Sequence, residues 1–292
     1  MEKITSAQNP KIKNLLLLQE KSKARKEQGL FVVEGRREIE HCVEAGYTIH
    51  TLFLCPEIYN VNNVEKKETF LTAEVGQKFF DLFSGEKFLV RGGEKSFVPK
   101  ATIIEITPEI YRKVAYREGT EGVIAEVEYK ALSLEDLRLP DKPLVVVLEA
   151  VEKPGNLGAV LRSADAAGAD AVIICDPLTD LYNPNLIRAS IGAIFTVPTV
   201  AAPSEDVIDF LKSRGIAILT AQLQDSSLYY DADMKRGTAI VMGTESTGLT
   251  DKWRRAADAH IRIPMLGQLD SLNVSVSAAI LLFEAVRQRQ NL

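Results

Sequence analysis

The sequence predicts a two-domain α/β protein, and three observations carry that expectation. The 292 residues exceed the usual size of one domain and suit two, each large enough to bury a core of its own. From residue 143 onward, short continuous apolar runs alternate with helical patterns, the mark of a parallel sheet covered on both faces. Between the halves, ALSLEDLRLPDKP (131–143) carries Pro140, Pro143 and several charges, and a boundary inside it gives domains of 1–133 and 134–292.

In the first domain, 11–27 reads as a helix with Ile12, Leu15, Leu16 and Gln19 near one face. FVVEG (31–35) is a short apolar run stopped by Gly35, 36–45 is helical in pattern, and IHTLFLC (49–55) is strand-like. Residues 56–100 mix Glu, Lys, Phe and Gly without a period, and no element is assigned there. TIIEIT (102–107), the amphipathic PEIYRKVA (108–115) and GVIAEVEYK (122–130) close this half as a small α/β unit.

The second domain alternates cleanly. PLVVVLEAV (143–151) is a buried-strand run, NLGAVLRSADAAG (156–168) an Ala-rich helix ended by Gly168, and AVIICD (171–176) a second strand. A helix near 183–192, a strand at FTVPTV (195–200) and a helix at 204–213 follow. GIAILTAQ (215–222) and TAIVMG (238–243) are strands, WRRAA (253–257) is helical, IRIPM (261–265) is extended, and 272–290 is the last helix.

Composition narrows the class. Hydrophobic content of 46% with 26% charged residues is ordinary for a soluble globular protein, and no apolar run approaches a membrane span. MEKITSAQNPKIKN has no secretory h-region. Cys42, Cys55 and Cys175 lie far apart, which argues against a disulfide framework or zinc site and for a reducing cytoplasm; His41, His50 and His260 are too scattered for a metal cluster. The expectation is a cytoplasmic protein without membrane or metal.

Net charge is −5, but it is unevenly spread: residues 1–133 carry 20 basic and 20 acidic side chains, and 134–292 carry 15 and 20. Within 11–26 stand Lys11, Lys13, Lys21, Lys23, Arg25 and Lys26 against the single acid Glu20, with Arg36 and Arg37 close behind. The plain reading is a solvated helix face, yet a local basic stripe also suits contacts to a phosphate backbone.

In sheets of this kind ligands sit at the carboxyl ends of the strands, and three loops fall there. EKPGNLGAVLRSA places Gly155 and Gly158 in a G-x-x-G spacing, not the G-x-G-x-x-G of a dinucleotide loop, which argues against a nicotinamide enzyme. In it Asn156 either caps the helix or meets a ligand, and Arg162 either forms a surface ion pair or does chemistry. MGTESTGLT (242–250) spaces Gly243 and Gly248 as in a P-loop, but Leu249 stands where the lysine belongs, which argues against an ATPase. A turn of backbone amides remains, with Glu245 inside it. IPMLGQLDSLNVSVSAAILLFEAV (263–286) continues into a helix apolar nearly all round, including Val276 and Phe283, and therefore expected to be buried. Capping accounts for one of Ser271 and Asn273 but scarcely for both, and a helix start with free amides suits a ligand.

Together, PGNLGAVLRSADAAGAD, IVMGTESTGL and IPMLGQLDSLNVSVSAAILLFE resemble the three ordered motifs of the SpoU (TrmH-like) branch of SPOUT methyltransferases, over roughly 144–290. NPNLIRASIGAIFTVP (183–198) also resembles this family. NPKIKNLLLLQEKSKARKEQGLFVVEGRREIEHCVEAG is similar to the substrate-binding extension of its ribosomal-RNA members, an L30e-type RNA-binding α/β fold; the likeness is weaker over 56–100.

The resemblance implies transfer of methyl from S-adenosylmethionine to a ribose 2′-hydroxyl of RNA, by a C-terminal parallel-sheet domain with a deep trefoil knot. It also implies a homodimer whose active site draws on both subunits. Carried over by residue, Gly243, Ile263 and Leu272 contact the cofactor, largely through backbone, and Met265 lines its pocket. Asn156, Arg162, Glu245, Ser271 and Asn273 form the catalytic set, with neither metal nor covalent intermediate required. Lys11, Lys13, Lys23, Arg25, Lys26, Arg36 and Arg37 are the candidate RNA contacts. The extension favours large-subunit ribosomal RNA over transfer RNA. The rivals are a relative that methylates a base nitrogen, a transfer-RNA 2′-O-methyltransferase, and a non-catalytic RNA-binding or ribosome-assembly factor.

Overall fold

A computed structural model describes residues 2–59, 87–89, 95–97, 101–116, 121–130, 132–244 and 247–290. The chain forms two compact units, Met1–Lys130 with Tyr182–Arg188, and Ala131–Leu181 with Ala189–Leu292.

The first unit runs β1 (Glu2–Ile4), α1 (Pro10–Glu20), α2 (Ser22–Gln28), β2 (Leu30–Glu34), α3 (Arg36–Glu44) and β3 (Ile49–Leu54). A short hairpin, β4 (Lys87–Leu89) with β5 (Lys95–Phe97), precedes β6 (Thr102–Ile106), α4 (Pro108–Val114) and β7 (Val123–Glu128). Five of these strands form one mixed sheet in the order β1-β6-β3-β7-β2. Its helical face buries Ile12, Leu15, Leu18, Phe53, Ile104 and Tyr111.

The helix expected over 11–27 is two helices. Asn9 starts α1 by accepting from the Lys11 N–H at 2.9 Å, with Pro10 in the first turn. Lys21 then adopts extended backbone and breaks the run. A side chain of the next helix seals the break: the Arg25 guanidinium donates to the carbonyls of Leu18 at 2.7 Å and Gln19 at 3.2 Å, satisfying groups that a helix end leaves open. The buried face is accordingly Ile12, Leu15 and Leu18, with Leu16 only partly covered. Tyr182 also belongs to this unit, its ring stacked on Phe31 at 4.2 Å between centroids and its hydroxyl donating to the Lys130 carbonyl.

The second unit contains β8 (Leu144–Glu149), α5 (Pro154–Ala166) and β9 (Ala171–Cys175); α6 (Pro184–Ser190) spans the division between units, and α7 (Ala193–Thr196) follows. Next come β10 (Thr199–Ala202), α8 (Ser204–Ser213), β11 (Ala217–Ala221), β12 (Ser227–Leu228) and β13 (Thr238–Met242). Helix α9 (Asp251–Ala256), β14 (Ala259–Arg262) and α10 (Val274–Arg289) complete it. All seven strands are parallel, in the order β10-β9-β8-β13-β11-β14-β12. Every residue of β8, β9 and β13 is buried, as strands covered on both faces require.

Three readings change. The helix near 183–192 is split at Ile191 and Gly192, both at positive φ (54° and 82°). The strand at FTVPTV begins only at Thr199, because Phe195 and Thr196 close α7 and Pro198 stands before the ladder. Helix α10 is not buried all round: Ala278, Leu281, Leu282 and Ala285 point inward, while Val276 is 47% and Phe283 49% exposed.

The chain path sets the site. From β8 it steps outward through β9 to β10, then returns to lay β11 on the far side, and β13 later fills the place between β8 and β11. The strand order therefore reverses beside β8, which brings the carboxyl ends of β8, β13 and β11 together at a crevice where α/β sheets hold ligands.

Candidate active site

At those strand ends lies a cleft of about 380 Å³ walled by Gly243, Ile263, Met265, Ser271 and Leu272. Its size falls within the range of roughly 300–1,000 Å³ usual for small-molecule sites. All four candidate cofactor residues and one candidate catalytic residue thus share one cavity.

The wall from β13 depends on glycine. A Cβ on Gly243 would sit 2.3 Å from the carbonyl carbon and oxygen of Gly248, so only glycine permits the loop to fold back on itself. The fold-back is fixed by the Gly248 N–H donating to the Thr244 carbonyl at 3.1 Å and the Thr247 N–H to Thr244 Oγ1 at 3.0 Å. Glu245 lies outside the described residues. The far end of the loop is held by Glu149, the last residue of β8 and only 3% exposed. Its two carboxyl oxygens accept from the Thr250 N–H at 2.8 Å and the Thr250 hydroxyl at 2.7 Å.

The polar residues ahead of α10 divide their work. Asn273 is the N-cap: its Oδ1 accepts from the Ser275 N–H at 3.0 Å and from the Ser275 hydroxyl at 2.6 Å. Its Nδ2 donates to Asn156 Oδ1 at 3.2 Å, so the first and third loops meet. Ser271 is left exposed on the cleft, and Ser277 also lines it.

Asn156 does not cap α5; that helix begins at Pro154 with Lys153 as its cap, and Asn156 lies in the first turn. Gly158 lets α5 approach closely, since a Cβ there would meet the Ala189 Cβ at 2.5 Å and the Ser190 nitrogen at 2.7 Å. Arg162, further along α5, is exposed and makes no hydrogen bond or ion pair among the described residues.

The basic candidates separate by burial. Arg25 is 2% exposed and its guanidinium is committed to the α1 carbonyls, so it is removed from the phosphate-contacting set. Arg36 is turned to Glu40 at 2.8 Å with its side chain 18% exposed, which leaves little of it for a ligand. Lys11 is exposed but paired with Glu2 at 2.5 Å. Lys13, Lys23, Lys26 and Arg37 stand exposed.

Two residues of the cleft wall carry no glycine motif and escape a sequence reading: Gln222, just past β11, and Arg254 on α9. The rule that ligands sit at strand carboxyl ends was the signal available for Gln222. Thiol chemistry has no place here. The three cysteines are free and buried, and burial pushes the Cys175 thiol well up, so it stays protonated.

Comparison with known proteins fits this geometry. The model of the SpoU rRNA methylase family matches residues 143–283, and that of the MRM3-like substrate-binding domain matches 9–125. The chain is 38% identical over 184 residues to a 23S rRNA (guanosine-2′-O-)-methyltransferase RlmB of Pseudomonas putida, covering 60% of this chain and 74% of that one. A crystal structure of an RNA 2′-O ribose methyltransferase superposes with a TM-score of 0.76 at 37% identity, over 99% of both chains. An AdoMet-bound rRNA methyltransferase from Sinorhizobium meliloti gives 0.80 at 28% identity, over 98% of this chain and 97% of that one. The ordered loops, the parallel sheet and these matches agree: the chain belongs to the SpoU rRNA methylase family.

Proposed function

We propose that the chain is an S-adenosylmethionine-dependent methyltransferase that methylates a ribose 2′-hydroxyl of ribosomal RNA. The observation that carries this reading is the junction of Asn156 with Asn273 in a family member whose Gly243, Ile263 and Leu272 wall one ligand-sized cleft. The P. putida relative is named for 2′-O-methylation of 23S rRNA, and the S. meliloti structure for an rRNA methyltransferase with AdoMet bound.

The cleft suits that cofactor in two respects. The Gly243 turn folds back against Gly248 and presents backbone at the cavity wall. Two buried polar atoms on the wall, Gln222 Oε1 and Arg254 Nε, have no hydrogen-bond partner among the described residues. When bound, S-adenosylmethionine supplies a sulfonium-activated methyl group as electrophile. Gly243, Ile263 and Leu272 hold it through backbone, with Met265 against it. Asn156, Ser271 and Asn273 orient the ribose, and Glu245 belongs to the same set. Orientation of two reactants is the larger part of what such a transfer needs from the protein. The Arg162 guanidinium binds the adjacent phosphate and stabilises charge developing on the 2′-oxygen.

The remaining parts of the reading rest on separate supports. Lys11, Lys13, Lys23, Lys26 and Arg37 contact the RNA backbone from an L30e-like first domain, a role suited to the match with a substrate-binding domain. The insertion of β13 between β8 and β11, with α10 packed on β13 and α5, supports the deep trefoil knot. Homodimerisation covers the apolar surface left at Val276, Phe283, Leu266 (97% exposed) and Leu269 (79%), and brings residues of both subunits to the site. Three free, buried cysteines suit a reducing cytoplasm.

The test is transfer of labelled methyl to unmodified ribosomal RNA by the wild type and by Arg162→Lys. The lysine keeps the charge and loses the fork, and turnover falls by about 10²-fold with cofactor affinity unchanged. Near wild-type turnover removes Arg162 from this role, and no transfer by the wild type to any RNA overturns the function.

A further inference from the structure

The two unpartnered atoms on the cleft wall identify residues that no motif marks. Gln222 follows β11, and its backbone N–H donates to the Ile261 carbonyl at 3.0 Å, which fixes the side chain's root at the cavity. Its amide has one settled end: Nε2 donates to the Gln224 carbonyl at 2.9 Å. That bond sets the orientation, because a flipped amide would press Oε1 against the same carbonyl. Oε1 is therefore an acceptor held in place, buried, and unmatched by any donor among the described residues.

Arg254 presents the complementary case. It rises from α9, directly after the Gly243–Thr250 loop; its Nε–H is buried without an acceptor among the described residues, while the side chain as a whole is partly exposed. Nη1 stands 4.0 Å from Asp251 Oδ1, an exposed pairing too loose to absorb the group. A buried donor and a buried acceptor left open in one cavity cost the ligand-free protein stability, since native structures pair nearly all such atoms. The cost is offset when a ligand supplies the missing partners.

We propose that Gln222 and Arg254 are direct cofactor-binding residues: Gln222 Oε1 accepts from an N–H or O–H of S-adenosylmethionine, and the Arg254 Nε–H donates to one of its acceptor atoms. This rests on the cofactor reading above and extends it from the backbone-lined glycine loops to two side chains on other elements. The pairing also gives specificity, because an analogue lacking either partner leaves a buried polar atom open.

The test is calorimetric titration of the full-length protein with S-adenosylhomocysteine, alongside the melting temperature of the ligand-free protein. Gln222→Leu and Arg254→Met each weaken binding by about tenfold or more, a loss of the size a single buried hydrogen bond gives. Without ligand Arg254→Met melts no lower than wild type, because it removes an open polar atom, and Gln222→Leu melts at most slightly lower, because the bond it gives up, Nε2 to the Gln224 carbonyl, is exposed. Arg254→Lys does not restore affinity, since lysine has no N–H at the Nε position. Variants that bind within twofold of wild type overturn the inference, as do variants whose lost affinity comes with an equal loss of ligand-free stability. A wild type that binds no S-adenosylhomocysteine overturns the cofactor reading itself, and this inference with it.

Discussion

Replacing Glu149 separates the contribution of one buried carboxyl group to the Gly243–Thr250 loop from that of the loop's own turn. Glu149 is 3% exposed and receives two hydrogen bonds from Thr250, at 2.8 Å and 2.7 Å. A hydrogen bond to a charged group contributes about 1.5–3 kcal/mol, giving an upper figure of about 3–6 kcal/mol for the pair. Thr250 is itself exposed, so water recovers part of this when the carboxyl is gone, and removing a buried charge recovers its desolvation. The expected net loss for Glu149→Ala is about 2–3 kcal/mol. Glu149→Gln keeps an oxygen for the Thr250 N–H and loses about 1 kcal/mol. At about 2–4 °C per kcal/mol, Glu149→Ala melts roughly 5–10 °C lower. Affinity for S-adenosylhomocysteine falls in the same order, because the loop closed by Thr250 carries Gly243. Adding Thr250→Val to Glu149→Ala costs almost nothing further if the two act as one unit. An alanine variant melting within a degree of wild type with unchanged affinity refutes the clamp, as does full additivity of the two substitutions.

Three further outcomes follow from single contacts. Gly158→Ala gains helix propensity of about 1 kcal/mol, yet its Cβ would meet Ala189 at 2.5 Å, so melting temperature should fall and turnover with it as α5 shifts Asn156; a stabilised variant would show the approach to be loose. Glu284 is held below the usual carboxylate range by Arg287, whose guanidinium donates at 2.7 and 2.8 Å, with Gln288 adding a bond at 2.8 Å. A depressed folded pKa stabilises above the unfolded value of about 4.3 and ceases to as pH falls through the folded one, so Glu284→Gln should flatten the stability curve on that acid limb; parallel curves for the two proteins would exclude it. Phe283→Asp places a charge on the 49%-exposed face of α10 and should give a monomer in sedimentation equilibrium, whereas an unchanged dimer moves the interface elsewhere.

The second unit was more legible than the first because its strands are buried on both faces. LVVVLE, AVIIC, AILTA and TAIVM each read as one apolar run, and a run of that kind has few other places to go. Gly243 was legible for a local reason, since it answers to a close approach within its own loop, to Gly248, whereas the approach at Gly158 is to Ala189 and Ser190 on another helix. What escaped was set by particular partners that a periodic pattern does not specify. The break at Lys21 depends on Arg25 reaching back to carbonyls that a continuous helical pattern would have satisfied itself. The exposed stripe of α10 carries the same apolar residues as its buried stripe, so periodicity alone reads it as interior. Arg25 and Lys26 are neighbours of like charge, one buried and one exposed, and composition does not separate them. Glu149, Gln222 and Arg254 are single polar residues whose meaning comes from partners distant in the sequence, or from the lack of one.

The central claim is the position of the transferred methyl group, and the most direct measurement reads it chemically. Unmodified ribosomal RNA is incubated with the protein and isotopically labelled S-adenosylmethionine, digested to nucleosides and resolved by mass spectrometry. The account predicts label in a 2′-O-methylnucleoside, with the mass shift on the ribose fragment and none on the base. Label on a base fragment would contradict the account and assign the loops to a different acceptor.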